Sequence, residues 1–254
     1  MEKWAVVTGA SAGLGVEFAK QLAKRGYKLI LTARREDRLK ELAKKLKTEC
    51  LIITADLSKE EECFRFFEAV KDKPVEVFIN NAGFGDCNHF LLSDLTKELD
   101  MINVNIKAMH ILMKLCLQKF EKDGQGYLLN VASCAGLLPG GPYMATYYAT
   151  KAYVASITQA VAQELKENAS PVYLGALCPG PVNTEFYDVA DVVFTLKGIS
   201  PKRCVKYAVD KMFERKTVIV PTLLIKLLTT FGPMLPRKLC VAATAGQQRR
   251  KLGK

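Results

Sequence analysis

Seven short apolar runs, near residues 4–8, 28–32, 51–54, 75–80, 126–131, 172–178 and 217–220, are separated by stretches whose apolar residues recur at helical spacing. Strands that short, alternating with helices, leave few arrangements: a parallel sheet buried on both faces, with helices above and below it. The expected fold class is therefore α/β, a single doubly wound domain over residues 1–254 with a parallel sheet of about seven strands. Residues 221–254 are expected to form a basic, apolar C-terminal extension of that domain. At 254 residues the chain is long enough for one well-buried domain and too short for two full-sized ones with a linker. Local punctuation agrees. Gly26 closes the first helix, Ser58 with Glu61 forms a capping box, Ser200-Pro201 opens a late helix, and one helix is expected from about Thr96 to Phe120.

In such sheets ligands bind beyond the carboxyl ends of the strands, at the point where strand order reverses. The polar motifs of this chain fall at those ends. TGASAGLG (Thr8 to Gly15) follows the first run, NNAG (Asn80 to Gly83) the fourth, Ser133 in NVASCAG the fifth, and PGPVNT (Pro179 to Thr184) the sixth. Glycines at 9, 13 and 15 permit a tight turn and let backbone N–H groups approach a pyrophosphate at the start of a helix. Tyr147 and Lys151, four apart in YYATKAYVASITQAVAQEL, share one helix face. Each signal is weak alone; together, and in one order, they are not a coincidence.

TGxxxGxG, NNAG, Asn105 in NVNIKA, Ser133, YxxxK and PG make the chain resemble the short-chain dehydrogenase/reductase family over residues 4–221. The tail resembles the subgroup that includes bacterial general carbonyl reductases and reductases of steroids or long 3-oxoacyl thioesters. The resemblance implies a catalytic tetrad of Asn105, Ser133, Tyr147 and Lys151. Tyr147 is the acid/base and Ser133 positions the carbonyl oxygen. Lys151 binds the nicotinamide ribose and, with the oxidised ring, is expected to lower the Tyr147 pKa. Asn105 holds a water that resupplies the proton. The interval from Ser133 to Tyr147 is one residue longer than the commonest family spacing, with the loop LLPGGPYMAT placed to absorb it. Implied cofactor contacts are Gly9, Ser11, Gly13, Leu14 and Gly15; Asp56 and Leu57; Asn81, Ala82 and Gly83; Tyr147 and Lys151; and Pro179, Gly180, Val182 and Thr184. Asn81 would brace the sheet, and Thr184 would meet the nicotinamide carboxamide. Asp56 would either contact the adenine or cap a turn.

Where an NAD site places an acidic residue after the second strand, this chain has Ala33, Arg34 and Arg35. An arginine pair suits a 2′-phosphate, so NADP is the expected cofactor, with NAD as the alternative. Asp37 nearby, and Ala12 where the family often adds a second basic residue, argue the other way.

Residues expected on the substrate side are apolar: Phe84, Leu137, Leu138, Tyr143 and Phe186, which suits an apolar ketone, aldehyde or secondary alcohol. The net charge of +11 is concentrated late, because nine cations and no acid follow Glu214. That leaves the body without a basic face and argues against nucleic acid. The tail's apolar residues and cations suit a membrane surface, a partner subunit or a cover over the substrate mouth. A homodimer or homotetramer in the cytoplasm is expected, with a tail that packs over the substrate mouth or a partner subunit favoured slightly over one in peripheral membrane contact. The eight cysteines lack a CxxC pair and read as buried free thiols, and two histidines cannot build a metal site. Rival readings are a non-catalytic dinucleotide-binding regulatory or scaffold protein, and a nucleotide-sugar epimerase or dehydratase. The first has no physical need of the tetrad; the second needs a larger C-terminal domain than this chain offers.

Overall fold

A computed structural model describes residues 2–185 and 198–251, the side chains of 250 and 251 excepted. Seven strands form one parallel sheet in the order β3-β2-β1-β4-β5-β6-β7. They are β1 (Trp4–Thr8), β2 (Lys28–Ala33), β3 (Cys50–Thr54), β4 (Val75–Asn80), β5 (Tyr127–Val131), β6 (Tyr173–Leu177) and β7 (Val218–Ile219). The expected fold class is met, and each expected run lies within two residues of a strand.

The pleat divides side chains between two apolar layers. Trp4 and Val6 of β1 join the layer containing Phe66, Leu112 and Val154, whereas Ala5 and Val7 join Phe18, Leu39 and Val205 on the opposite face. The first layer is covered by α3 (Glu60–Val70), α5 (Met109–Asp123) and α6 (Ala145–Glu167). The second is covered by α1 (Gly13–Lys24), α2 (Glu36–Lys45) and α7 (Pro201–Phe213). Phe18, Phe66, Phe78 and Phe120 are fully buried in these layers, each contributing about 1.5–3 kcal/mol relative to exposure.

Gly26 follows the end of α1 with φ +84°, a left-handed conformation in which glycine carries no steric cost. Ser200 accepts from the Arg203 backbone N–H at 3.3 Å, with Pro201 opening α7. The expected capping box at Ser58 does not form. Its hydroxyl donates instead to Asp56 Oδ1 at 2.9 Å, and Lys59 occupies the N-cap position of α3. The Asx turn competes successfully because it lies two residues from its acceptor.

The helix expected around Asn105 is a continuous rod in three parts: α4 (Leu95–Ile102), a π-helical turn (Asn103–Ala108) and α5. Beyond β7 the extension folds into α8 (Leu223–Phe231) and α9 (Arg237–Lys251). No helix among the described residues is long and apolar enough to cross a membrane.

Candidate active site

Strand order reverses between β1 and β4, and the chain fastens that crevice with its own polar groups. The Thr8 hydroxyl accepts from the Asn81 and Ala82 backbone N–H groups at 2.8 and 2.9 Å, and the Asn81 amide donates to the Thr8 carbonyl at 2.8 Å. The turn after β1 cannot be filled. Gly9 has φ +64°, and a Cβ there would lie 2.9 Å from Ala82 Cα. This places bare backbone at the start of α1, the arrangement that receives a phosphate group.

From this turn a cavity of about 470 Å³ runs along the carboxyl ends of the strands. At one end Ser11, Arg34, Arg35 and Asp56 form its wall; at the other stand Ser133, Tyr147 and Lys151. Gly9, Gly13, Leu14, Leu57, Asn81, Ala82, Gly83, Pro179, Gly180, Val182 and Thr184 line the length between. Gly15 does not reach the cavity. It packs against the Gly9 carbonyl, where a side chain would not fit. A glycine cradle at a helix start, a long crevice and an arginine pair at its far end fit a nicotinamide dinucleotide.

Arg35 crosses to the glycine turn, with Nη2 donating to Ser11 Oγ at 3.2 Å, and its Nη1 lies 3.8 Å from Glu185. Arg38 holds the same carboxylate at 2.8 Å. Asp56 caps its own turn through Ser58 and also lines the cavity, so its two sequence readings are compatible.

The Ser133 hydroxyl opens a 3-10 turn (Cys134–Leu137) by accepting from the Ala135 N–H at 3.1 Å, and it hydrogen-bonds Tyr147. Gly136 brings that turn onto the backbone of α6, because any side chain there would run into the Lys151 carbonyl. Lys151 Nζ donates to the Val131 carbonyl at 2.9 Å and lies 5.9 Å from the Tyr147 ring centroid. Asn105 is 1% exposed. Its Oδ1 accepts from the Phe84 N–H at 3.1 Å, and its Nδ2 donates to the Phe84 carbonyl and to Thr150 Oγ1 at 2.9 and 3.0 Å. Gly83 lies between Asn105 and Lys151: a Cβ on it would sit 2.8 Å from Asn105 Oδ1 and 3.3 Å from Lys151 Nζ. The π-helical turn carries Asn105, a deformation often found where a helix serves a site.

One electrostatic expectation is corrected. Burial raises the Tyr147 pKa well above that of a free phenol, with the Ser133 hydrogen bond opposing it. Lys151 is desolvated as well, and burial depresses its ammonium to about 8.

The substrate side also departs from expectation. Phe84 and Leu138 line the cavity, but Leu137 and Tyr143 do not. Leu137 points the other way, into the core layer beneath α6. Tyr143, with φ 67°, turns edge-on to His89 at a centroid distance of 4.8 Å, and its carbonyl accepts from the Asn88 N–H. The left-handed residue lies in the loop that was expected to absorb the longer interval from Ser133 to Tyr147. Phe186 lies outside the described residues. In their place the wall includes Ile225, Leu228 and Thr229 of α8 and Gln247 and Gln248 of α9, which the linear sequence did not reveal. Gly180 explains the approach of α8, since a Cβ there would lie 2.7 Å from Ile225 Cγ1.

The family pattern described as short chain dehydrogenase matches residues 3–191. An uncharacterized oxidoreductase of Staphylococcus epidermidis is 33% identical over 192 residues, 75% of this chain and 82% of that protein. A very-long-chain 3-oxoacyl-CoA reductase of Kluyveromyces lactis is 37% identical over 184 residues, 67% of this chain and 53% of that protein, so the match spans about half of the relative. A solved short-chain dehydrogenase from Sphingobium yanoikuyae in complex with NADPH is similar at a TM-score of 0.82 and 26% identity, covering 94% of this chain and 95% of that one.

Proposed function

This chain belongs to the short-chain dehydrogenase family, and from that premise we propose that it is an NADP-dependent reductase of an apolar carbonyl compound, with Tyr147 as its acid. The observation that carries the reading is the convergence of Ser133, Tyr147 and Lys151 at the end of the cavity opposite Arg34 and Arg35.

A reduced nicotinamide bound in the crevice would supply a hydride to the carbonyl carbon. The oxygen then needs a proton, and Tyr147 gives it within hydrogen-bond reach. A phenol held neutral by burial is suited to donating in this direction. Ser133, already hydrogen-bonded to Tyr147, holds the oxygen and stabilises its developing charge. Lys151 would bind ribose hydroxyls, and Asn105 beside it would connect the site to a water that restores the proton. Arg34 and Arg35 would receive the 2′-phosphate, Asp56 and Leu57 the adenine end, and Thr184 the carboxamide. Phe84, Leu138, Ile225 and Leu228 support an apolar substrate.

The chain is further proposed to work in the cytoplasm as a homodimer or homotetramer, with peripheral contact to an anionic membrane. The membrane contact is supported by α8, where Leu223, Leu224, Leu227 and Phe231 are exposed together with Lys226, and by the cations Arg237 and Lys238 that open α9.

Oxidation of NADPH and of NADH is to be followed against aldehydes, aliphatic ketones and 3-oxoacyl thioesters of increasing length. The expected result is turnover that favours NADPH, rises with apolar size, and falls at least about 10³-fold in Tyr147→Phe with cofactor affinity kept. Full activity in that variant sinks the acid assignment. Arg34→Glu is expected to weaken NADPH far more than NADH; equal losses reject its phosphate role.

A further inference from the structure

We propose that Gln248 recognises a hydroxyl or amide N–H on the substrate away from its reacting carbonyl, so that the natural substrate is an apolar carbonyl compound with a second, hydrogen-donating group. The inference rests on the reductase reading and narrows its substrate class.

Gln248 stands on α9, a hundred residues from Tyr148 in sequence, yet its Nε2 donates to the Tyr148 hydroxyl at 2.7 Å. The side chain is 1% exposed. Its other polar atom, Oε1, is buried with no hydrogen-bond partner. Buried amide oxygens are rarely left in that state, because the lost hydration is not recovered. Three other buried side-chain atoms among the described residues share the condition, on Thr32, Asn130 and Thr222, but none of those residues lines the cavity; Gln248 does. Leu138, Met144, Ile225 and Leu228 make the same cavity largely apolar, with Thr229 and Gln247 as the other polar members from α8 and α9. A buried acceptor with no partner beside such a cavity adds little to packing and much to selection: a ligand with a matching donor satisfies it, and one without leaves it orphaned.

The acceptor is also held in place relative to the reacting group. Tyr148 anchors the amide from one side, and its ring centroid lies 6.4 Å from that of Tyr147, at 76°. The amide is therefore one side chain removed from the acid.

The test pairs medium-chain methyl ketones with their terminal-hydroxyl counterparts, using NADPH as reductant. At the best chain length the wild-type protein is expected to favour the hydroxy ketone in kcat/KM by about tenfold or more. Gln248→Met should cut the hydroxy ketone at least about tenfold more than the parent ketone. In parallel, thermal stabilisation of the NADPH-loaded Tyr147→Phe protein by alkanols and by the matching diols reads binding without turnover. The diol is expected to stabilise more, and the difference to vanish in the Tyr147→Phe/Gln248→Met double variant. Equal stabilisation by both overturns the proposal, as does a Gln248→Met loss of the same size on both ketones, which would make the residue a helix-docking contact only. Absence of turnover would count against the reductase reading, and the binding measurement would still decide Gln248. The wild-type comparison stands even if the variant does not fold.

Discussion

Lys151 is the residue at which structure and chemistry pull hardest against each other. Its pKa falls from 10.5 to about 8 because burial disfavours the ammonium. A lysine whose folded pKa lies below its unfolded value costs stability. The cost is fully present below pH 8, where both states are protonated, and disappears as pH rises toward 10.5, because the unfolded chain then gives up the extra proton as well. Lys151→Met is therefore expected to be inactive yet more stable at pH 7, by up to about 3 kcal/mol less the lost bond to Val131. Urea titrations at pH 7 and pH 10 check this; a gain that does not shrink at the higher pH contradicts the assignment. The pairing of Tyr147 with Lys151 was legible because four residues on a helix is a fixed geometry. The direction of the Tyr147 shift was not, since its burial comes partly from packing with Cys87 and Met101, more than forty residues away in sequence. Leu137 and Leu138 differ only in which side of a short turn each occupies, and spacing alone cannot separate them.

Among the elements, the strands and the helix carrying Asn105 followed from apolar runs bounded by turns. The π-helical turn did not, because one extra residue in a helix leaves no mark in composition. The C-terminal helices were read only as a basic apolar stretch. Their packing depends on Gly180 admitting Ile225 and on Gln248 meeting Tyr148, contacts between distant segments. On α8, Ile225 and the half-exposed Leu228 line the cavity, while the exposed Leu224 and Leu227 take no part in it. Flotation with vesicles of phosphatidylglycerol is expected to carry the wild-type protein and to fall at least about fivefold for Leu224→Glu/Leu227→Glu, with weaker binding to neutral phosphatidylcholine. Unchanged flotation of the double variant excludes α8 as the contact.

At the scale of the whole molecule, the two apolar layers on the sheet hold Cys63, Cys116, Cys178 and Cys204 away from water. Six of the eight cysteines are buried and none is joined in a disulfide; Cys50 and Cys134 are partly exposed. Burial pushes the thiols of Cys178 and Cys204 up to about 12, and that of Cys63 to about 11. Thiol titration of the native protein at pH 8 is expected to consume no more than two groups promptly and all eight in guanidinium. Cys134 lines the cavity, so NADPH should slow one of the two; rapid reaction of most thiols in the native state would mean that the layers are not closed. The seven-stranded alternation was legible because each strand is mostly apolar, with only scattered polar residues such as Glu76 and Asn130. The closing of the cavity by α8 and α9 was not, since it arises from contacts across the entire chain.

That closure separates two kinds of information along the polypeptide. The glycine turn, Arg34, Arg35 and Asp56 all precede residue 60, whereas Ile225, Leu228 and Gln248 follow residue 220. Substitutions in the late segment can change what the pocket accepts while leaving the early segment's ligand untouched. A lineage of such chains could diversify its choice of substrate by rewriting a few dozen codons, with the redox half of the reaction inherited intact.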